Sequence, residues 1–193
     1  MQHRIPILLL PCTVTLVACQ PGRPEAGANG DRAEAVDTLT AARSGSTTAP
    51  MRDRDGKDLG TLTLTDADQG ISVAGRVTGL PPGEHGIHLH TVGRCDPPGF
   101  DSAGDHWNPT NRKHGTGSAG GPHLGDLPNL TVGQDRSVAV QSTTPGGTLR
   151  GENALLDNDG AAVVVHAKRD DYKSQPSGDS GDRVACGVVT AGR

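Results

Sequence analysis

The chain has 193 residues, among them 28 Gly and 14 Pro but only one Phe, one Trp and one Tyr, so any core must be built from small aliphatic side chains. Its net charge of −4 is too small for a disordered chain of this make-up and fits one ordered domain with flexible ends. Scattered Lys and Arg, with so few stacking aromatics, exclude a nucleic-acid-binding platform.

Residues 1–18 read as an export signal: His3 and Arg4 supply a basic start and residues 5–17 an apolar run, too short for a bilayer, which takes about 20 residues. The run contains Pro6 and Pro11 and ends Leu16-Val17-Ala18-Cys19, which resembles the lipobox of bacterial lipoproteins. That resemblance implies cleavage before Cys19, a lipid on its thiol and anchorage to a membrane, and Gln20 resembles the outer-membrane sorting class. The expected location is the cell envelope or periplasm of a Gram-negative bacterium. Residues 19–45 hold Gly, Pro, Ala and mixed charge with few large aliphatics, so they read as a flexible tether. Such a chain has an r.m.s. span of roughly 28 Å.

From residue 46 to residue 193 the pattern is that of one all-β domain. Leu62 and Leu64 alternate with Thr61, Thr63 and Thr65, and Ile71, Val73, Gly75 and Val77 continue the alternation. Further strands are expected near 86–90, 130–132, 137–141, 161–166 and 185–190, separated by turn signals such as Asp55-Gly56, Pro81-Pro82-Gly83 and Asp159-Gly160. Seven or eight short strands at this spacing predict a sandwich or barrel. Residues 91–129 carry no clear strand, and 167–183 form a second irregular stretch. Loops that long inside a compact domain are held by something other than packing.

Of the four Cys, Cys12 leaves with the signal and Cys19 is the lipid site, so Cys95 and Cys186 remain as an even pair in an oxidising compartment. Their disulfide would tie the long loop to the last strand, worth about 4 kcal/mol in the chain-entropy picture.

Histidine is the strongest chemical signal, because all but His3 of the eight fall between positions 85 and 166. In His88-Leu89-His90 the two-residue period of a strand turns both imidazoles to one face and Leu89 to the other. The long loop adds His106, His114 and His123, with Asp126 across a turn that Gly125 allows, and His166 closes the run Val163-Val164-Val165. Imidazoles with one carboxylate suit zinc or copper, not calcium or magnesium. His85 reads as a bland turn residue. Six His and Asp126 fall one short of the eight ligands that two four-coordinate sites need. Either one site keeps an open position or one His serves both metals through its two nitrogens.

The motifs Gly86-Ile87-His88-Leu89-His90, His106-Trp107-Asn108-Pro109, Lys113-His114-Gly115, His123-Leu124-Gly125-Asp126-Leu127, Val164-Val165-His166 and Gly181-Asp182-Arg183-Val184-Ala185-Cys186-Gly187 resemble, in this order, those of the copper/zinc superoxide dismutases, in particular their exported bacterial branch. The resemblance implies an eight-stranded Greek-key barrel or sandwich with a long metal-binding loop and a second, electrostatic loop. It implies that His88, His90, His106 and His166 bind copper, that His106, His114, His123 and Asp126 bind zinc, and that His106 is the shared ligand. It further implies the Cys95–Cys186 disulfide, Asp170 as an outer carboxylate linking imidazoles of the two sites, and Arg183 as the guanidinium that receives the substrate anion; flanking Lys113, Lys168 and Lys173 read as attractors that fit a small negative substrate on an acidic chain. Asp105 departs from the family, where a small neutral residue or Pro is expected before the shared His. The implied reaction is dismutation of superoxide to dioxygen and hydrogen peroxide by copper redox cycling. The competing expectation is a lipoprotein that holds copper and zinc without turnover, which would need the ligands but not Arg183. The sequence leaves monomer or homodimer open.

Overall fold

The computed structural model describes residues 45–189; the export segment, Cys19 and nearly all of the tether lie outside the described residues. These residues form nine strands, β1 Ser46–Asp53, β2 Asp58–Ala67, β3 Gly70–Thr78, β4 Gly83–His85, β5 Ile87–His90, β6 Leu130–Val132, β7 Ser137–Thr143, β8 Ala161–His166 and β9 Arg183–Val189, with a single 3-10 turn at Asp101–Ala103 and no α-helix. Seven of the strands make one curled antiparallel sheet in the order β5-β8-β9-β1-β2-β3-β7, while β4 and β6 pair separately.

The alternation seen in the sequence sets which side chains face inward. Thr47, Ala49 and Met51 of β1, Leu62 and Leu64 of β2, and Ile71, Val73 and Val77 of β3 are buried. Each buried Leu, Ile, Val or Met among them contributes about 1.5–3 kcal/mol. The strand count is nine rather than eight because the expected strand at 86–90 and the residues before it divide at Gly86. His85 pairs with Leu130 in the small sheet, and two residues later Ile87 pairs with Val165 in the large one. Between them Gly86 donates its N–H to Lys168 O at 2.8 Å and accepts that of His166 at 2.8 Å, so neither backbone group is orphaned at the switch.

Every residue of β8 is buried, because both faces of this strand are covered. Val163 and Val165 join the main core with Ile87 and Leu89, whereas Ala162 and Val164 pack with Phe100, Ala103 and Cys186 in a second cluster. The Cys95–Cys186 disulfide closes this second cluster and ties the loop to β9 across 91 residues. Residues 144–160 form a third irregular stretch, which the strand pattern alone did not single out. It buries Leu149 and Leu155 and accepts the Trp107 indole N–H at Ala154 O, 3.1 Å away, pinning the histidine-bearing loop from behind.

Candidate metal centre

Register brings the first three histidines together. His88 lies opposite Val164 and His90 opposite Ala162, so both imidazoles share the face of β8 that carries Ala162, Val164 and His166. The expectation that Leu89 turns away into the core holds.

The loop then runs beside β5 as if it were another strand. Trp107 donates its N–H to Leu89 O at 2.8 Å, Leu89 donates to Gly125 O at 2.9 Å, and Gly125 donates to Trp107 O at 2.8 Å. This triangle sets His106 opposite His90 and Asp126 opposite His88. A Cβ on Gly125 would stand 2.5 Å from Leu89 O. Glycine is therefore needed for close approach to β5, rather than for the reversal of direction expected from the sequence.

Two groups result, each with its ligand atoms within 4.8 Å of one another: His88, His90, His106 and His166, and His106, His114, His123 and Asp126. All their side chains are buried. In the first group one nitrogen of every ring is held by the protein. His88 Nε2 donates to Asp170 Oδ2 at 2.8 Å, His90 Nδ1 to Gly104 O at 2.8 Å, His106 Nδ1 to Asp126 Oδ1 at 3.0 Å and His166 Nδ1 to Gly181 O at 3.1 Å. The other nitrogen of each, His88 Nδ1 and Nε2 of His90, His106 and His166, is buried without a hydrogen-bond partner among the described residues. Four orphaned imidazole nitrogens facing one another are costly unless they have a common partner, and a cation that prefers imidazole is such a partner. Burial pushes the His88 ring down to about 3 and that of His166 to about 4, and holds His90 and His106 below the usual value, so these lone pairs stay free of protons at neutral pH.

The second group centres on a carboxylate. Asp126 Oδ2 accepts the backbone N–H groups of Gly115 at 2.8 Å and His123 at 3.0 Å, which aims Oδ1 at the Nδ1 atoms of His106 and His114, both at 3.0 Å, and of His123 at 3.3 Å. Burial alone would raise the Asp126 carboxyl, but the three imidazole contacts hold it well below the carboxylate range. Three imidazole nitrogens around one carboxylate oxygen are a donor set that fits zinc. His106 belongs to both groups and turns a different nitrogen to each.

Asp170 joins the groups from outside. Besides His88 it accepts from His114 Nε2 at 2.9 Å, so one buried carboxylate fixes a ring in each group. Burial lowers the His114 ring, but its hydrogen bonds to Asp126 and Asp170 outweigh this and raise it to about 9. Gly178, at φ +72°, lets the backbone pass directly over this link, since a Cβ there would stand 1.8 Å from Asp170 Oδ1. Asn129, which sequence reasoning missed, grips the backbone of Asp170 through both its amide atoms, at 2.9 and 2.8 Å. Its position three residues after Asp126, at the loop's end, was the only cue.

His90, His106, His166 and Arg183 line one open pocket of ≈ 740 Å³, together with Asp105, Asp157 and Gly181. The Arg183 guanidinium does not pair with Asp182, which meets Arg54 at 3.4 Å instead. It donates to Phe100 O at 2.8 Å and to Gly104 O at 2.7 Å, the carbonyl that also orients His90. Its direct partners are thus neutral carbonyls, while the Asp101 and Asp105 carboxylates act on it without a direct ion pair. Asp105 is exposed at the pocket and outside the carboxylate-centred group, so its added charge bears on the pocket, not on that group. The stem of Lys168 lies over Gly181, while Lys113 and Lys173 are exposed on the surface. His85 is buried rather than a bland turn residue: its two nitrogens stand 2.7 Å from His166 O and 2.9 Å from Pro81 O, so it braces the strand switch.

Residues 59–189 match the family model described as copper/zinc superoxide dismutase. The chain is 40% identical over 146 residues to superoxide dismutase [Cu-Zn] 1 of Aquifex aeolicus, covering 74% of this chain and 86% of that protein. Among solved structures it resembles a SOD-like protein from Bacillus subtilis at a TM-score of 0.71 and 37% identity, covering 74% of this chain and 97% of the other. It also resembles the Cu/Zn superoxide dismutase from Brucella abortus at a TM-score of 0.62 and 31% identity, covering 75% and 99%.

Proposed function

Since the chain belongs to the copper/zinc superoxide dismutase family, we propose that it converts two superoxide ions and two protons to dioxygen and hydrogen peroxide, with His88, His90, His106 and His166 holding copper and His106, His114, His123 and Asp126 holding zinc. The observation that carries this reading is the set of four partnerless, convergent ring nitrogens beside an Arg whose direct partners are neutral carbonyls. Copper supplies a one-electron redox couple, and zinc, which has no redox chemistry, supplies charge and order.

The protein's own part is to hold, orient and attract. Asp170, Gly104, Asp126 and Gly181 each take the N–H of one copper-group ring and so choose which nitrogen faces the metal. With cations on both flanks His106 would serve both sides, its Nδ1 releasing to solvent the proton that it now donates to Asp126. Arg183 sets a permanent positive charge in the pocket, where a small anion needs one. Superoxide dismutases are themselves standing examples of steered, diffusion-limited catalysis, so the expected speed belongs to the family. A protein that only stored metal would need this guanidinium at most as an anchor for Phe100 O and Gly104 O.

The test is superoxide consumption by the copper- and zinc-loaded protein at matched copper content. Arg183→Ala should lower kcat/KM by about tenfold and Arg183→Glu by on the order of a hundredfold, with the wild-type rate falling as salt screens the field beyond roughly 8 Å. Full activity in both variants would reduce Arg183 to a loop anchor.

The reading extends to the part of the chain before the domain, taken to begin at residue 46. A signal at 1–18, lipidation at Cys19 and a tether at 19–45 would hold the enzyme at the envelope membrane, in the periplasm of a Gram-negative cell; the lipobox-like Leu16-Val17-Ala18-Cys19 supports this. Cys19→Ser should turn a detergent-extracted protein into a soluble or unprocessed one. An unmodified N-terminus beyond Cys19 in the wild type, read by mass spectrometry, would rule the anchor out.

A further inference from the structure

Three members of the carboxylate-centred group are placed by the body of the domain. His106 and Asp126 are fixed by the backbone ladder along β5, and His123 by its own N–H to Asp126. His114 differs. Its Nε2 is held by Asp170, and its backbone is held by Gln175: the His114 N–H donates to Gln175 Oε1 at 2.9 Å, and Gln175 Nε2 donates back to His114 O at 3.0 Å. The same Nε2 lies 2.9 Å from Lys173 O and 3.2 Å from Ser118 Oγ, so the amide spans both loops. Gly117 N–H to Tyr172 O at 2.9 Å and Ser118 Oγ to Lys173 O at 3.1 Å complete the seam. Both Asp170 and Gln175 lie in the segment between β8 and β9.

We propose that Gln175 is a positioning residue for His114, and that through it the segment 167–182 latches His114 in place and sets how fast zinc leaves. The side-chain amide takes the part of a neighbouring strand, satisfying both backbone groups of one residue and so fixing where its imidazole points. When the segment lifts, His114 loses its backbone partner and its Asp170 contact together, and the remaining three ligands cannot complete a tetrahedral site. Holding the segment down and holding zinc are then one coupled equilibrium, each favouring the other. Asn129 acts one step earlier, on Asp170, which also touches His88, so its loss reaches the copper group as well. Gln175 touches only the zinc side.

This inference rests on the reading of the carboxylate-centred group as a zinc site. It is tested on the copper- and zinc-loaded protein by the rate of zinc transfer to an excess of a chromogenic chelator, with copper content followed in parallel. Gln175→Ala should speed release by roughly ten- to a hundredfold while copper stays bound. Gln175→Glu keeps the acceptor for the His114 N–H but loses the donor, so it should fall between. Val140→Ala, a cavity in the core at β7, is the control for general destabilisation and should release zinc at nearly the wild-type rate. Hydrogen exchange should rise at 114–121 and 172–178 in Gln175→Ala alone. Wild-type release from Gln175→Ala, or release that merely tracks the melting temperature across all variants, overturns the latch and leaves the function standing. A wild-type protein that takes up no zinc overturns the function reading, and the latch with it.

Discussion

His166→Ala should all but abolish superoxide turnover and leave zinc in place. His166 belongs to the four-imidazole group alone, its Nε2 is one of the four partnerless nitrogens, and its Nδ1 does no more than anchor the ring to Gly181 O. Removing a residue that merely orients a metal ligand typically weakens metal binding by about 10–100-fold, so removing a ligand should lower activity by at least about a hundredfold. The complementary change, His123→Ala, takes away a ring of the carboxylate-centred group only. It should release zinc and loosen the loop while part of the copper-dependent activity survives. Elemental analysis and superoxide consumption on the same samples check both, and full activity in His166→Ala would falsify the copper assignment.

The second large effect is on stability. Chelation together with reduction of Cys95–Cys186 should lower the melting temperature far more than chelation does alone, because the two act on the same loop through different restraints. A disulfide closing 91 residues contributes about 4 kcal/mol, which in a domain of this size corresponds to a fall on the order of 10 °C. Removing metals adds the loss of their binding energy and leaves the ring nitrogens of the first group orphaned. The metal-free protein should also show a stability maximum near neutral pH. His88 and His166 are buried with values of about 3 and 4, lowered from 6.5, so the unfolded chain takes up their protons first and stability falls as pH drops below about 6.5. His114 works in the opposite sense: raised from 6.5 to about 9, its contribution is complete below 6.5 and is lost as pH rises through 9. Thermal melts of the metal-free protein from pH 4 to 10 test this, and a flat profile would mean that these rings are not buried as described.

Much of the centre was legible because it depends on short-range periodicity. Two imidazoles separated by one residue must share a face of a strand, and a run such as Val163-Val164-Val165 must be covered on both faces. His114 and His123, by contrast, sit in a loop with no period, and only the family resemblance assigned them. The misjudgement of His85 has a physical cause. A Gly-bounded His near a turn is usually exposed, but here the chain changes sheets at Gly86 and the ring is buried between Pro81 O and His166 O, with an N–H to donate at the switch. Gln175 and Asn129 escaped notice because a side-chain amide gripping a distant backbone leaves no mark on composition or spacing.

What the sequence determined by itself was the inventory: an aliphatic all-β domain, the donor atoms for two transition-metal ions, an even Cys pair and a cation three residues before the second Cys. All of these follow from residue type and local spacing, which the chain carries wherever it goes. Which nitrogen of each ring is spoken for, that His106 faces two ways, that Arg183 spends its hydrogen bonds on carbonyls rather than on Asp182, and that one carboxylate at Asp170 reaches both groups were decided only by the tertiary structure. The reason is that a hydrogen bond or an ion pair is fixed at the level of a few tenths of an ångström between groups up to 129 residues apart, and only the packed sheet brings such groups to that distance.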